Sequence, residues 1–452
     1  MNYFLSSPSA IQPIYSASSI HHPIELYDGS LKFAGNEFNI EGQGKIKLEW
    51  LPSPRLVFEL KLSIDSLPPV SLPINSMLGN GTLSFCIADR GILTDASLFK
   101  ITESNDFDRF IFNGFINQGI VVGSGNNLKF VIFHLVNFHK IMGETIRYHP
   151  GHASRSRLVL EAEGWVFTID EVKEISELIK KIKHSRGYAI THAVKLEQKD
   201  GSNFSSEDAK SQIDALYYFL SFARGFYTSP VLLVGHDEND NKIWEEWGTY
   251  NTTVYKSVPS WFIEENSHTL AQMFPNFMKY WNDPKWNEAI KTSIIWYVDS
   301  NIMFNNINGL IIWVHSALEL LFNVYCDNNQ ITITSETQAY QKIKKLLSEL
   351  GISENPPPTL TEFVKLAKEL KNLGDAQLDG SEVFSRVRNY ITHSNPNSST
   401  HKFSHQVIHK TSSEARYEVL TLGLWYVEMI LLKLFSYQGQ YFNRCSQKEE
   451  EF

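Results

Sequence analysis

The stretch GLIIWVHSALELLFNVYC, residues 309–326, is the most apolar part of the chain, and its character decides how the C-terminal half folds. His315 and Glu319 interrupt the apolar residues near its centre. A membrane-spanning helix needs about 20 predominantly apolar residues and rarely carries ionisable side chains. Because this stretch is shorter and more polar than that, it predicts a helix buried in the core of a soluble, cytoplasmic protein.

Helical spacing extends on both sides of this stretch. Residues 286–326 predict one or two long helices, with a candidate interruption at the polar residues 305–309. Three consecutive prolines at 356–358 must break a helix. Further amphipathic segments occupy residues 336–350, 360–373, 381–393 and 414–437. We therefore predict an all-helical bundle of about five helices over residues 266–452, ending in a charged, solvated tail, KEEEF.

In the N-terminal part, apolar residues recur at every second position instead of at helical spacing. In RLVFELKLSI, residues 55–64, apolar and polar side chains alternate, as they do in a strand with one buried face. Glycine-rich turns follow at residues 79–81 and 123–126. Residues 1–265 therefore predict an antiparallel, sandwich-like or barrel-like β domain, with helices near 171–186 and 206–227. Together with the helical bundle this gives an α+β protein, whose β-rich N-terminal domain we expect to sense or regulate.

Composition excludes several classes of protein. The chain has 452 residues and a formal charge of -9, so it does not coat nucleic acid through its net charge. It contains neither a P-loop nor a G-x-S-x-G nucleophile motif. Its three cysteines are widely separated, without zinc-site spacing, and suit a reducing cytosol. We expect no metal and no cofactor.

The segment FSRVRNYITHSNP contains a pair of residues suited to phosphodiester chemistry, Arg388 and His393. Arginine is permanently cationic, and its planar fork binds phosphate oxygens. Histidine can transfer a proton near neutral pH, and an RNA strand supplies its own nucleophile in the 2′-OH. On a helix the two positions differ by about 140° and 7.5 Å, so one pair does not make a compact face. Two copies meeting across a two-fold axis would supply two of each residue.

These residues and their context resemble the HEPN superfamily of RNases, which carry an R-x(4–6)-H motif, often with a polar residue after the arginine. Here Asn389 follows the arginine, and the helix containing Ala317-Leu318-Glu319-Leu320-Leu321 lies upstream. The chain is most similar to the ApeA-type antiphage HEPN proteins, which place a strand-rich domain before the helical bundle. The resemblance covers about residues 270–440 and is architectural over residues 1–260. Ser394 stands where the family usually has glycine after the histidine.

The resemblance implies a metal-independent endoribonuclease used in antiphage defence. Arg388 would bind the scissile phosphate, His393 would act as general base or acid, and Asn389 would orient the pair or the substrate. Cleavage would leave a 2′,3′-cyclic phosphate or 3′-phosphate and a 5′-OH. The composite site would lie between the bundles of a homodimer or a higher even oligomer. The implied partners are an RNA substrate, with tRNA as one candidate, and a phage-derived trigger, without a membrane.

Several neighbouring residues admit two interpretations. A buried carboxylate in an apolar helix must find a partner, so Glu319 either holds Arg388 or forms a structural ion pair, unless it is simply exposed on the polar edge of the helix. Residues 384–416 carry a net charge of +4, so Arg386, Lys402 and Lys410 are candidate RNA-binding residues. Neighbours in space can equally compensate this charge. The histidines at 401, 405 and 409 lack a local carboxylate or cysteine, and we expect them to be solvated or to face RNA. The alternative function is a non-catalytic HEPN module, a scaffold that binds RNA, a nucleotide or a protein.

Overall fold

The computed structural model of the protein describes residues 7–16, 19–34, 39–63, 83–103, 109–149, 152–303, 305–332, 337–371, 378–392 and 407–452. The chain divides into two compact units. The first comprises residues 1–159, 164–214 and 228–256, and the second comprises residues 160–163, 215–227 and 257–452. The first unit is built on antiparallel β-sheets and the second on helices, which confirms the predicted α+β class.

A closed six-stranded barrel begins the first unit, in the order β1-β2-β3-β6-β5-β4. Its alternating side chains point inward and outward in turn, and the inward set includes Phe33, Phe58, Phe85 and Phe112, each at most 1% exposed. Pairing of β1 with β4 closes the barrel. The strands are β1 (Ile24–Ala34), β2 (Asn39–Glu49), β3 (Arg55–Ser63), β4 (Leu83–Ile87), β5 (Ile92–Glu103) and β6 (Arg109–Ile116).

An antiparallel eight-stranded sheet follows, in the order β7-β14-β13-β8-β12-β11-β10-β9. Within the first unit, Val231 and Trp247 of this sheet join the hydrophobic cluster of the barrel. The strands are β7 (Ile120–Gly123), β8 (Phe130–Val136), β9 (Glu144–His149), β10 (His152–Ala162), β11 (Trp165–Glu171), β12 (Ile190–Gln198), β13 (Pro230–His236) and β14 (Lys242–Thr249). Two helices interrupt the run of strands, as predicted: α1 (Ile175–Ser185) and α2 (Ser206–Arg224).

Seven further helices occupy the described part of the second unit. The break between α4 and α5 lies at residues 303–306, two residues before the predicted interruption at 305–309, and the prolines at 356–358 lie between α6 and α7. One helix is additional to the prediction: α3 continues through Pro275 while burying Met273, Phe274 and Phe277. The helices are α3 (His268–Trp281), α4 (Asn287–Ile302), α5 (Ile307–Asn328), α6 (Ala339–Glu349), α7 (Thr361–Lys371), α8 (Gly380–Thr392) and α9 (Ser413–Leu434).

Helix α5 lies in the core of the helical unit. Among the described helices it is the one with the length and apolar composition to cross a membrane. One side of the helix packs inside the protein, with Leu310, Val314, Leu318 and Leu321 at most 2% exposed, whereas Trp313 is 37% exposed. This is the packing of a helix that buries one apolar face against its neighbours.

A glycine allows three helices of this unit to approach closely. A Cβ atom at Gly423 of α9 would lie 2.6 Å from the ring of Phe384 on α8 and 2.8 Å from Val314 on α5. Both distances are shorter than van der Waals contact allows. The absence of a side chain at Gly423 therefore lets α9 pack closely against Val314 of α5 and Phe384 of α8.

The C-terminal tail differs from the prediction of a solvated segment. Residues Gln440–Asn443 form β15, which pairs with β16 (Lys448–Glu451) in a two-stranded hairpin. The Phe452 ring packs edge-on against Tyr437 and Tyr441. Glu449 and Glu451 are exposed, but Glu450 accepts from Asn443 and Ser446, and backbone pairing together with the Phe452 ring anchors the segment.

A buried ion pair connects this hairpin region to the helices. The guanidinium of Arg444, 4% exposed, donates to both carboxylate oxygens of the fully buried Glu428, from Nε at 2.9 Å and from Nη2 at 2.5 Å. The hydroxyl of Tyr297 donates to the same carboxylate at 2.6 Å, and Asn301 accepts from Nη1 of Arg444 at 3.1 Å. The charge of each partner is thus compensated by groups of the protein.

Removing one partner of this pair should strongly destabilise the helical unit. Glu428→Gln keeps the shape but leaves the Arg444 cation buried without its counter-charge, and we expect the free energy of unfolding to fall by about 3–5 kcal/mol. Asp327→Asn is the matched control, because the Lys285–Asp327 pair is exposed to solvent at 59% and 69%. Its loss should cost at most about 1 kcal/mol. Equal shifts of the two variants in urea unfolding would contradict the structural role of the buried pair.

Candidate functional site

Helix α8 presents Arg388 at the edge of the helical unit. The helix starts at the carboxylate of Asp379, whose Oδ1 accepts from the backbone N–H of Glu382 at 2.9 Å. Its apolar face, which includes Phe384 and Val387, is buried. Arg388 follows Val387 directly, and its side chain is 21% exposed. The guanidinium therefore stands at the boundary between the core and solvent.

Glu319 of α5 binds this guanidinium. Nη2 of Arg388 donates to Oε2 of Glu319 at 3.0 Å, and Nζ of Lys342 on α6 lies 3.8 Å from the other carboxylate oxygen. Contact with His315, followed by the charges of Arg388 and Lys342, holds the pKa of Glu319 below its ordinary value although burial opposes this. The carboxylate is thus ionised at neutral pH. The structure shows the contact between Glu319 and Arg388, which a positioning role and a structural ion pair both require.

Asn389 contacts the same guanidinium from the other side. Its Oδ1 accepts from Nη1 of Arg388 at 2.9 Å. Each terminal nitrogen of an arginine carries two hydrogens, so the contacts with Asn389 and Glu319 use one from each. The Nε atom of Arg388 is buried and makes no hydrogen bond within the described residues. The arrangement fixes the orientation of the guanidinium and leaves donors on both terminal nitrogens for an anion.

His315 is a site residue that the sequence analysis did not single out for a role. It is fully buried on α5, one turn before Glu319, and its ring stacks on Phe384 with 5.6 Å between centroids. Nε2 lies 3.2 Å from Oγ of Ser385, and Nδ1 lies 3.2 Å from Oε2 of Glu319. The four-residue spacing of the two polar residues in an apolar helix was the available signal, because it places them on one face.

The order Ser385, His315, Glu319 has the connectivity of a hydrolase triad, in which Nε2 faces the serine and Nδ1 faces the carboxylate. Ser385, however, is only 2% exposed and lies inside α8. A nucleophile must reach its substrate, and this hydroxyl does not. Ser385, His315 and Glu319 therefore hold one another in position, and Ser385 is not a catalytic nucleophile.

Two of the predicted residues, His393 and Lys402, lie outside the described residues, as do the histidines at 401 and 405. Helix α8 ends at Thr392, whose hydroxyl donates to the backbone oxygen of Arg388 at 3.1 Å. The structure therefore describes the arginine half of the R-x4-H motif and the asparagine that follows it.

The other candidate RNA-binding cations differ in their surroundings. Arg386 donates to Glu382 on its own helix at 2.8 Å, while Lys410 is exposed in the turn after residues 407–409. Glu382 and Glu319 lie outside the window of residues 384–416 that carries the +4 charge, and each neutralises one of its arginines. The basic patch is therefore weaker in three dimensions than in the sequence.

The part of the chain that the structure describes contains no group of three or more His, Cys, Asp or Glu residues able to hold a metal ion. His409 is exposed, and its ring lies edge-on to Tyr390 with 6.5 Å between centroids. The described cysteines are all free thiols.

Both units contain regions that match domains or proteins named YopA. A family model described as the YopA central domain matches residues 123–258, and one described as the YopA C-terminal domain matches residues 283–452. The SPbeta prophage-derived uncharacterized protein YopA of Bacillus subtilis (strain 168) is 25% identical over 443 residues, which cover 96% of this chain and 94% of that protein. No solved structure matches. The chain is thus similar to YopA both in the sheet from β8 to β14 and in the helices that carry Arg388, Glu319 and His315.

Proposed function

We propose that the protein is a metal-independent endoribonuclease of the HEPN type, in which Arg388 binds the scissile phosphate of an RNA strand. The observation that supports this is the guanidinium itself. It is held from two sides by Glu319 and Asn389, partly exposed, and keeps N–H donors on both terminal nitrogens. A fork fixed in this way meets two phosphate oxygens without losing further side-chain entropy.

The proposed reaction uses the nucleophile of the substrate. The 2′-OH of the ribose loses its proton to a base and attacks the adjacent phosphorus, and the bond to the 5′-oxygen of the next nucleotide breaks. That oxygen takes up a proton, so the products are a 2′,3′-cyclic phosphate and a 5′-OH. His393 serves as the base or the acid, and Arg388 stabilises the negative charge on the phosphate. Because one chain supplies a single His393, we propose that two protomers contribute to one composite site.

One observation favours the alternative, a non-catalytic module that binds RNA, a nucleotide or a protein. Glu319 already compensates the charge of Arg388, and buried or half-buried ion pairs are also common in purely structural roles. A binding module would retain affinity for RNA without breaking the strand. Cleavage and binding must therefore be measured separately.

We place this activity in the cytoplasm and in antiphage defence, with the β-rich unit recognising a phage-derived trigger. The relative in Bacillus subtilis is named as SPbeta prophage-derived, which connects that protein with a phage genome. Three free cysteines fit a reducing compartment. A sensing role for the first unit rests on its separate fold.

Replacing Arg388 should strongly slow RNA cleavage while the protein stays folded. With total RNA in EDTA, Arg388→Ala should lose about 10²–10³-fold in rate, because one cation facing the developing charge is removed. Arg388→Lys should recover little, since lysine keeps the charge but not the fork. Lys285→Ala is the control, an exposed cation of the same unit outside the motif. Cleavage by Arg388→Ala or His393→Ala at the rate of the wild type would contradict the proposal.

A mixing experiment tests the composite site. If one composite site needs His393 from both protomers, a dimer with a single His393→Ala protomer is inactive. After joint unfolding and refolding of equal amounts of wild type and His393→Ala, only the quarter of dimers that are fully wild type should cleave, so the rate should fall to about one quarter of that of the same total amount of wild type. A fall to only one half would show that each chain acts on its own.

The two other described candidate cations, Lys410 and Arg386, should contribute unequally to RNA binding. Lys410 is exposed, whereas Arg386 is already paired with Glu382, so Lys410→Ala should reduce the affinity for a single-stranded RNA oligonucleotide more than Arg386→Ala does. The slope of log affinity against log salt should decrease by about 0.7 for Lys410→Ala. Fluorescence anisotropy between 50 and 300 mM salt measures it, roughly spanning the range in which counterion release dominates. Identical slopes for both variants and the wild type would exclude the patch as a phosphate contact.

A further inference from the structure

The middle of α5 contains a chain of polar contacts that ends on Arg388. Oε2 of Glu319 is approached by two groups at once, Nη2 of Arg388 at 3.0 Å and Nδ1 of His315 at 3.2 Å. Nε2 of His315 lies 3.2 Å from Oγ of Ser385 on α8. Ser385 and Arg388 lie three residues apart on α8, so the chain of contacts leaves α8, crosses α5 and returns to α8.

The distances select one tautomer of His315. If Nε2 carried the proton, the lone pair of Nδ1 would face an ionised carboxylate at 3.2 Å, and the two would repel. With the proton on Nδ1, the N–H dipole faces Glu319 and the lone pair of Nε2 accepts from the Ser385 hydroxyl. Nδ1 has no aligned hydrogen-bond acceptor within the described residues, so its contact with Glu319 is chiefly electrostatic.

Burial makes this arrangement rigid. His315 is fully buried, Ser385 is 2% exposed, and the ring of His315 stacks on Phe384. Glu319, by contrast, is a flexible side chain at the solvent boundary, 23% exposed. Without a fixed neighbour its carboxylate would be free to follow Lys342, which lies 3.8 Å from Oε1, away from the guanidinium.

We propose that His315 and Ser385 are positioning residues: Ser385 fixes the Nδ1–H tautomer of His315, which holds the Glu319 carboxylate where it orients Arg388 toward the RNA phosphate. This role rests on the proposed function of Arg388. Neither His315 nor Ser385 touches the substrate.

The charged groups that face His315 are Glu319 on its own helix, Arg388 on α8 and Lys342 on α6. Burial holds the pKa of His315 below its ordinary value, and Glu319 partly opposes this shift. His315 is therefore neutral at pH 7, as the tautomer argument requires. Removing the carboxylate should lower its pKa further.

Nuclear magnetic resonance of the full chain labelled with ¹⁵N-histidine tests the tautomer without RNA. The chain has 15 histidines, and the signal that disappears in His315→Asn identifies His315. We expect the chemical shifts of the Nδ1–H form and a pKa that falls in Glu319→Gln. An Nε2–H form, or a pKa unchanged by Glu319→Gln, would overturn the proposal whether or not the protein cleaves RNA.

Two substitutions at one position separate positioning from packing. Asparagine at 315 places its amide near the position of Nδ1 and can direct an N–H dipole toward Glu319, whereas glutamine extends toward the position of Nε2. His315→Asn should therefore keep more of the RNA cleavage rate than His315→Gln, by about tenfold or more. Equal rates in variants of equal melting temperature would overturn the role in positioning. A wild type that shows the Nδ1–H signal but cuts no RNA would instead refute the proposed function alone.

Stability against pH supplies an independent readout. Because the folded pKa of His315 is depressed, the unfolded chain takes up the proton first as pH falls, so the stability that neutral His315 provides is complete above about pH 6.5 and is lost below it. The melting temperature of the wild type should exceed that of His315→Asn at pH 8, and the difference should shrink toward pH 5. A difference that stays constant from pH 8 to pH 5 would show that folding does not lower the pKa of His315, and would contradict the buried, neutral imidazole that the proposal requires.

Discussion

The second unit depends on how α5 satisfies two polar side chains in its buried length. A helix that is apolar on most sides must be covered by protein, and an ionised carboxylate or an imidazole within it must find partners there. Glu319 meets Arg388 and Lys342, and His315 meets Ser385. These contacts join α5 to α6 and α8. The requirement to pair a carboxylate thus fixes the position of the arginine on which the proposed chemistry depends.

This constraint also explains how the Arg388 cation can be paired with Glu319 and still offer hydrogen-bond donors to a phosphate. A guanidinium has five N–H donors in one plane, and the contacts with Glu319 and Asn389 occupy two of them. The carboxylate reduces the net charge that a phosphate would meet, which weakens attraction at long range. It also removes the rotational freedom that Arg388 would otherwise lose on binding. A site of this kind gives up some affinity and gains orientation, and orientation matters more for a reaction than for simple binding.

Local sequence patterns predicted where most helices and strands lie. They did not predict which strands pair with one another. Asn306, within the polar residues 305–309, caps the start of α5, and Gly351, with a φ of 66°, and the prolines at 356–358 lie between α6 and α7. Closure of the barrel depends on pairing of β1 with β4 and β3 with β6, for which the sequence offers no local signal. Similarly, Pro275 indicates a break, but burial of the apolar face around it maintains α3.

In the site, Arg388 and Asn389 were predicted from the R-x4-H motif, and Glu319 was predicted because it is a carboxylate in an apolar helix. Lys342 and Ser385 carried no such signal, since their role arises only when α6 and α8 pack on α5.

The chemistry of the RNA ends tests the central claim most directly. Purified protein should be incubated with a synthetic RNA in EDTA, together with its activating trigger or at high protein concentration, and the fragments analysed by mass spectrometry. Attack by the 2′-OH, assisted by Arg388 and His393, predicts fragments ending in a 2′,3′-cyclic phosphate or 3′-phosphate and beginning with a 5′-OH. Fragments with a 3′-OH and a 5′-phosphate would show that water or another external nucleophile attacks the phosphorus, and would contradict the account.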